Sequence, residues 1–265
     1  MKSLPTVFVS HGAPTLAIEP GATGPALAAL GKELDRPKAI LMVSAHWETS
    51  RPMASAVLRP DTIHDFGGFP QALYRLRYAA PGSPELAQRV KTLLDASGLN
   101  ASLDRNRGLD HGAWVPLLYL YPDADVPVTQ LSIQSDYGPD YHYRLGQALG
   151  PLADEGVLVI GSGSLTHNLS EFRGRTGSNQ VAPYAQEFQQ WVFDKVAANN
   201  VDALIDYRRS APHAERAHPT EEHFLPFFVA LGAAGGASAA RRINDEMTFG
   251  ALAMDTYVFH PRAGA

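Results

Sequence analysis

Apolar positions along this chain fall into two kinds of run: short continuous blocks, and longer stretches in which they recur every three or four residues. The blocks are "TVFVS" (6–10), "AILMVSA" (39–45), "VPVTQLSI" (126–133) and "GVLVIGSG" (156–163). Their β-branched content and lack of polar alternation predict strands buried on both faces. The periodic stretches predict helices from Gly24 to Leu34, over "SPELAQRVKTLLDAS" with Ser83 as cap and Pro84 in the first turn, over "GPDYHYRLGQALGPLAD", and over "PYAQEFQQWVFDKVAANN". "GLDHGAWVPL" sets Asp110 and His111 before a helix containing Trp114, with Asp110 either capping that helix or orienting His111. "HPTEEHFLPFF" reads as another helix start, with Pro219 in its first turn and Glu221 and Glu222 near the positive end of the dipole. Buried strands alternating with helices predict an α/β fold, a sheet between helical layers.

The turn segments "EPGATG", "HDFGGFP", "APGSP" and "NRGLDHG" are brief, and no composition break, repeat or low-complexity tract interrupts the order. A single domain over residues 1–265 is expected, with "RGRTGSN" as its mobile loop and "HPRAGA" as a fraying tail. With 45% hydrophobic and 18% charged residues the chain can bury an ordinary core. A net charge of -5 without a basic stripe argues against a nucleic-acid partner. The longest uncharged run, "FLPFFVALGAAGGASAA", is shorter than the roughly 20 apolar residues that span a bilayer, so it reads as a core helix and a loop. No apolar leader precedes the first strand, so a cytoplasmic protein is expected. There are no cysteines, which leaves imidazole and carboxylate as the metal ligands to look for.

Ten histidines then change the picture, because of where they fall. His11 ends the first strand, His46 the second, and His167 follows the fourth in "IGSGSLTHN". Ligands of open α/β sheets bind beyond the carboxyl ends of strands, so three strand ends converging on one mouth point to a site. His223 reads as a core histidine or a further member of that site. His64 and Asp65 precede a double glycine in a loop that either lines a pocket or simply turns the chain. Trp47, Phe66, Phe69 and Tyr74 are aromatic candidates for stacking on a substrate ring, or core residues. His142, His213, His218 and His260 are expected at the surface or in turns. Neutral imidazoles from separate strands suit iron(II) or zinc, with carboxylates at hand to complete an open site.

In order along the chain, "FVSHGAPTLAIE", "SAHWET", "TIHDFGGFPQALYRLRYAAPGSPELAQRV", "LDHGAWVPLLYLYPDADVPVTQLSI", "GSGSLTHNL" and "PTEEHFLPFFVALGA" resemble the DODA-type extradiol ring-cleaving dioxygenases of the class III extradiol superfamily. The resemblance implies a central mixed sheet flanked by helices, in a phosphorylase/hydrolase-like arrangement. It implies that His11, His46 and His223 hold the metal, with Glu222 as the rival to His223, because the wider superfamily uses a glutamate there. His167 resembles the active-site histidine, as acid/base or as a further ligand, and His111 a second acid/base or substrate-orienting histidine. His64, Phe66 and Trp47 are carried as substrate-binding candidates. The implied reaction is cleavage of a DOPA-like or otherwise substituted catechol by O2 to a semialdehyde, with Fe(II) as the active metal and Zn(II) able to occupy the site. Oligomeric state is not implied. Two rivals use the same residues: a zinc-dependent hydrolase, which would work without oxygen, and a Memo-like protein whose related site binds without catalysis.

Overall fold

The protein was analysed as a computed structural model, in which residues 3–173, 180–235 and 239–260 are described. The expected loop "RGRTGSN" and the tail "HPRAGA" lie, but for an end residue of each, outside the described residues.

The four apolar blocks are strands: β1 (Thr6–Ser10), β2 (Ala39–Glu48), β5 (Val128–Ile133) and β6 (Val157–Gly163). Between them come α1 (Thr23–Glu33), the short β3 (Met53–Ser55), α2 (Pro84–Ala96), β4 (Ser102–Asp104), α3 (His111–Leu120) and α4 (Pro139–Leu149). After β6 the chain is helical, through α5 (Leu169–Arg173), α6 (Pro183–Ala197), α7 (Val201–Ile205), α8 (Tyr207–Ser210), α9 (Ala214–Ala217) and α10 (Leu225–Ala233). It closes with β7 (Ala239–Asn244), the two-residue pair β8 (Met247–Thr248) and β9 (Leu252–Ala253), and β10 (Thr256–His260).

Eight strands form one mixed sheet in the order β4-β3-β5-β2-β6-β1-β10-β7. The inner strands β5, β2, β6 and β1 run parallel, while β10 is antiparallel to β1 and β3 to β5. The mixed sheet expected from the resemblance is therefore present. Alternation decides which layer each residue serves. Val7, Val9, Ile40, Met42, Leu158 and Ile160 point to one face and pack with α1 and α3. Phe8, Leu41, Val43 and Val159 point to the other, beneath α2, α4, α6 and α10. All nine residues of α10 are buried, and Phe227 and Phe228 are wholly so. Burying each such ring stabilises the fold by about 1.5–3 kcal/mol.

Ser83 caps α2 by accepting from Leu86 N–H, and Asp110 caps α3 by accepting from Ala113 N–H. The helix expected to start near Pro219 starts instead at Leu225, where Pro226 occupies the first turn; residues 218–224 form turns.

Two histidines expected at the surface are buried. His142, in α4, lies 3.0 Å by Nδ1 from the Gly138 carbonyl, and its Nε2 accepts from Gln134 N–H at 3.3 Å. His218 is buried with Nε2 2.8 Å from the Leu165 carbonyl and its ring stacked on Phe224. A helix position beside tyrosines and a polar loop gave no sign of this burial. His213, beside Glu187, and His260 are exposed, as expected.

Burial pushes His142 down to about 4 and His218 to about 3, opposed only in part by the carbonyls each one meets. Unfolded, each titrates near about 6.5. Below that pH the unfolded chain takes up protons that the native chain refuses, so their contribution to stability is complete above about 6.5 and falls as the pH drops toward 4. For the metal-free protein, the urea stability of wild type relative to His142→Gln should be largest above pH 6.5 and shrink toward pH 4. A pH-independent difference would contradict this.

Candidate metal centre

The carboxyl ends of β2, β6 and β1 lie side by side, and each delivers a polar residue onto the same rim. His11 follows β1 and is fixed there by its N–H, which donates to the Gly163 carbonyl at 2.9 Å. His46 lies within β2 where the pairing with β5 slips: Val43 pairs with Leu131 and the next pair is Glu48 with Ile133, a step of five along β2 against two along β5. An irregularity of this kind re-aims side chains, and here it accompanies the turn of an imidazole toward His11. The His11 and His46 Nε2 atoms are 3.0 Å apart.

His223 arrives from the turns before α10. Its carbonyl accepts from Ser164 N–H at 2.8 Å, and Gly163 lies so close that a Cβ there would overlap that carbonyl oxygen. The His223 ring centroid is 5.5 Å from that of His11 and 4.9 Å from that of His46. Single nitrogens of His11, His46 and His223 all lie within 4.8 Å of one another. His167 stacks on His223 with centroids 3.4 Å apart and planes 13° apart, and His111 lies 4.0 Å from His46 by centroid. The structure thus gathers His11, His46, His111, His167 and His223 into one cluster.

Glu222 Oε1 is 2.8 Å from His223 Nδ1 and 3.8 Å from His167 Nδ1. Asp65 Oδ1 accepts from His111 N–H at 2.9 Å, while its Oδ2 is 3.0 Å from His111 Nδ1 and 3.6 Å from His46 Nδ1. Behind the cluster, the buried Asp110 carboxylate accepts from Ser44 Oγ at 2.7 Å, from Arg107 at 2.8 Å and from the Gln130 amide. Arg107 also donates to the His46 carbonyl at 3.0 Å and covers the Trp47 ring. Asp110 therefore caps α3 and also braces β2.

Desolvation dominates the electrostatics. It drives His11 and His223 well below the usual histidine value, reinforced by the neighbouring imidazoles, and lowers His46 to about 4. His167 is also lowered by burial, against the pull of Glu222. For Asp65 burial works upward, but hydrogen bonding and charge at His111, with some help from His46, outweigh it and hold the carboxyl at about 2. Neutral imidazoles have lone pairs to give, and a 3.0 Å separation is that of two nitrogens about 2.1 Å from one cation and at right angles about it. The residues fit a divalent metal held by imidazole nitrogen.

Among the substrate-binding candidates, Phe66 meets His111 edge-on at 5.6 Å and also contacts Phe69, Tyr74 and Trp114. His64 stands one ring further out, 5.7 Å from Phe66, with Nε2 3.1 Å from the Leu76 carbonyl. Trp47 is buried under Arg107, and no ring contact among the described residues joins it to the cluster. Ser162 and Gly112 were not singled out from sequence, and Asp65 was read only as part of a loop that lines a pocket or turns the chain. Asp65 and His111 are 46 positions apart, and no periodicity relates them.

Residues 6–259 match the family model described as the catalytic LigB subunit of aromatic ring-opening dioxygenase. The chain is 46% identical over 258 residues to a 4,5-DOPA dioxygenase extradiol of Beta vulgaris, covering 96% of each protein. A 4,5-DOPA dioxygenase extradiol of Escherichia coli K12 is 38% identical over 255 residues, covering 95% of this chain and 93% of the relative. A crystal structure of an uncharacterized protein from Escherichia coli K12 superposes with a TM-score of 0.80 at 32% identity, covering 96% of this chain and 99% of that one.

The approach of Gly163 to the His223 carbonyl gives a direct test of this geometry. Gly163→Ala should displace the His223 backbone, cost about 1–3 kcal/mol of stability by overpacking, and lower bound metal per chain after dialysis. Full metal content with wild-type stability would show that the close approach does not position His223.

Proposed function

The chain belongs to the family of catalytic LigB subunits of aromatic ring-opening dioxygenases, and from that premise we propose how its histidines work and on what. It is a non-haem extradiol dioxygenase, a metal-dependent enzyme that opens an aromatic ring with dioxygen. We assign the metal to His11, His46 and His223, with iron(II) as the active ion and zinc able to occupy the same ligands. The observation that carries the assignment is the convergence of these three neutral imidazoles, with the His11 and His46 Nε2 atoms 3.0 Å apart. Glu222 faces the Nδ1 side of His223, so in this reading it orients the ligand and does not replace it. The substrate is a catechol, DOPA-like or otherwise substituted, and residues 1–265 act as one catalytic domain.

The ion, when bound, supplies Lewis acidity toward the catechol hydroxyls and the redox chemistry that lets dioxygen react with the ring. The protein supplies proton transfer and orientation. Burial keeps His167 neutral at neutral pH, ready to accept a proton from a catechol hydroxyl, and Glu222 beside it favours the imidazolium that results. Asp65 accepts from the His111 backbone N–H and sets its other carboxylate oxygen 3.0 Å from Nδ1, which turns Nε2 toward the substrate or dioxygen. Phe66 lies edge-on to His111 and offers an apolar wall to the substrate ring; His64, behind it, shapes that wall.

The test is anaerobic loading with Fe(II), then oxygen uptake over a panel of substituted catechols with detection of coloured ring-fission products. Uptake requiring Fe(II) and a catechol is expected. No uptake with any catechol at confirmed iron occupancy would sink the catechol assignment. His167→Ala should lower kcat by about 10²–10⁴-fold with metal content unchanged. Loss of the metal from that variant would instead make His167 a ligand.

A further inference from the structure

We propose that Ser162 is a positioning residue of the metal centre, whose hydroxyl dictates which nitrogen of His11 carries the proton and so which one faces the ion. The proposal rests on the assignment of His11 as a ligand. Ser162 is wholly buried in β6, directly beside β1, where it pairs with Val9. Its Oγ donates to the Gly112 carbonyl at 2.5 Å. A carbonyl only accepts, so the single hydroxyl proton is committed there, and lone pairs are all that Oγ has left to offer. His11 Nδ1 lies 3.0 Å from that same oxygen. The contact is a hydrogen bond only if Nδ1 carries the hydrogen.

A neutral imidazole has one N–H. With it on Nδ1, the His11 lone pair sits on Nε2, the atom that approaches His46. The opposite tautomer would set two lone pairs against each other at Ser162 and turn an N–H into the space between the candidate ligands.

The relay depends on Gly112. A Cβ at that position would stand 2.5 Å from Ser44 Oγ, 3.0 Å from His46 Cδ2 and 3.2 Å from His11 Cε1. Only a residue without a side chain brings the first turn of α3 this close to both histidines while its carbonyl reaches Ser162. Asp110 fixes the same turn as its cap, so β1, β6 and α3 share one chain of hydrogen bonds from Gly112 through Ser162 to His11. Outer partners of ligating histidines typically change metal affinity by about 10–100-fold.

Two measurements test the proposal. In metal-free wild type at pH 8, with histidines labelled by nitrogen-15, long-range proton–nitrogen spectra should show His11 in the Nδ1–H form; the Nε2–H form would overturn the proposal. Zinc affinity, read by competition with a chromophoric chelator, should fall about 10–100-fold in Ser162→Ala, with His11 shifting toward mixed tautomers, and Ser162→Cys should fall between that variant and wild type. If Ser162→Ala binds zinc as wild type does while His11→Ala does not, the relay is refuted and the ligand assignment stands. If His11→Ala binds zinc as tightly as wild type, the ligand assignment itself fails. Should Ser162→Ala not fold, the wild-type tautomer alone decides.

Discussion

The site depends on keeping closely packed imidazoles uncharged: burial lowers His11, His46, His167 and His223 below the ordinary histidine value. Placed this close, cationic rings would repel one another, and an interior of low polarity would magnify the repulsion. Burial removes the charges first, as the depressed values of His11, His46 and His223 record. Neutral rings can then approach until two nitrogens stand 3.0 Å apart. Such an arrangement needs a rigid frame, because each ring would gain by swinging out to solvent. Parallel strands give the frame on one side, and the Asp110 network with Ser44, Arg107 and Gln130 gives it on the other.

Much of this was legible in the sequence where local pattern and tertiary environment agree. The four inner strands are continuous apolar blocks because both of their faces are covered, and the histidines at the ends of β1 and β2 follow from those blocks. The outer strands were not legible. β7 reads "AARRIN", with two arginines and partial exposure, and β3 and β4 have three residues each. Strands so short or so polar carry no signature apart from the neighbour they pair with. The start of α10 was misplaced because Pro219, Glu221 and Glu222 look like a first turn, whereas the helix begins at Leu225, with the next proline, Pro226, and no acidic residue in its first turn. His142 bonds Gly138 and Gln134 close by in the chain, and only the packing of α4 buries it. His218 looked like a surface residue because the group it bonds lies far off in sequence, Leu165 being 53 positions away. The pairing of Asp65 with His111 was hidden for the same reason.

Two carboxylates flank the cluster on different segments, Asp65 from the loop before α2 and Glu222 from the turns before α10. Each touches two histidines, so negative charge is present at the rim before any cation arrives. The imidazoles stay neutral while the surroundings favour a positive ion. Carboxylates outside and imidazole nitrogens inside are the arrangement that suits a cation, the outer ring supplying charge and the inner one lone pairs.

The sheet order has a consequence for how the protein is made. Among the described strands β1 comes first, yet its neighbours are β6 and β10, and the latter comes last. Pairings this distant in sequence carry a large loop-closure cost and delay folding. A growing chain therefore holds "TVFVS" without either neighbour until β6 and β10 have been made, and His11 meets His223 only after the chain has emerged beyond the turns before α10. A chain stalled before His223 therefore lacks a member of the histidine cluster, however complete its inner strands.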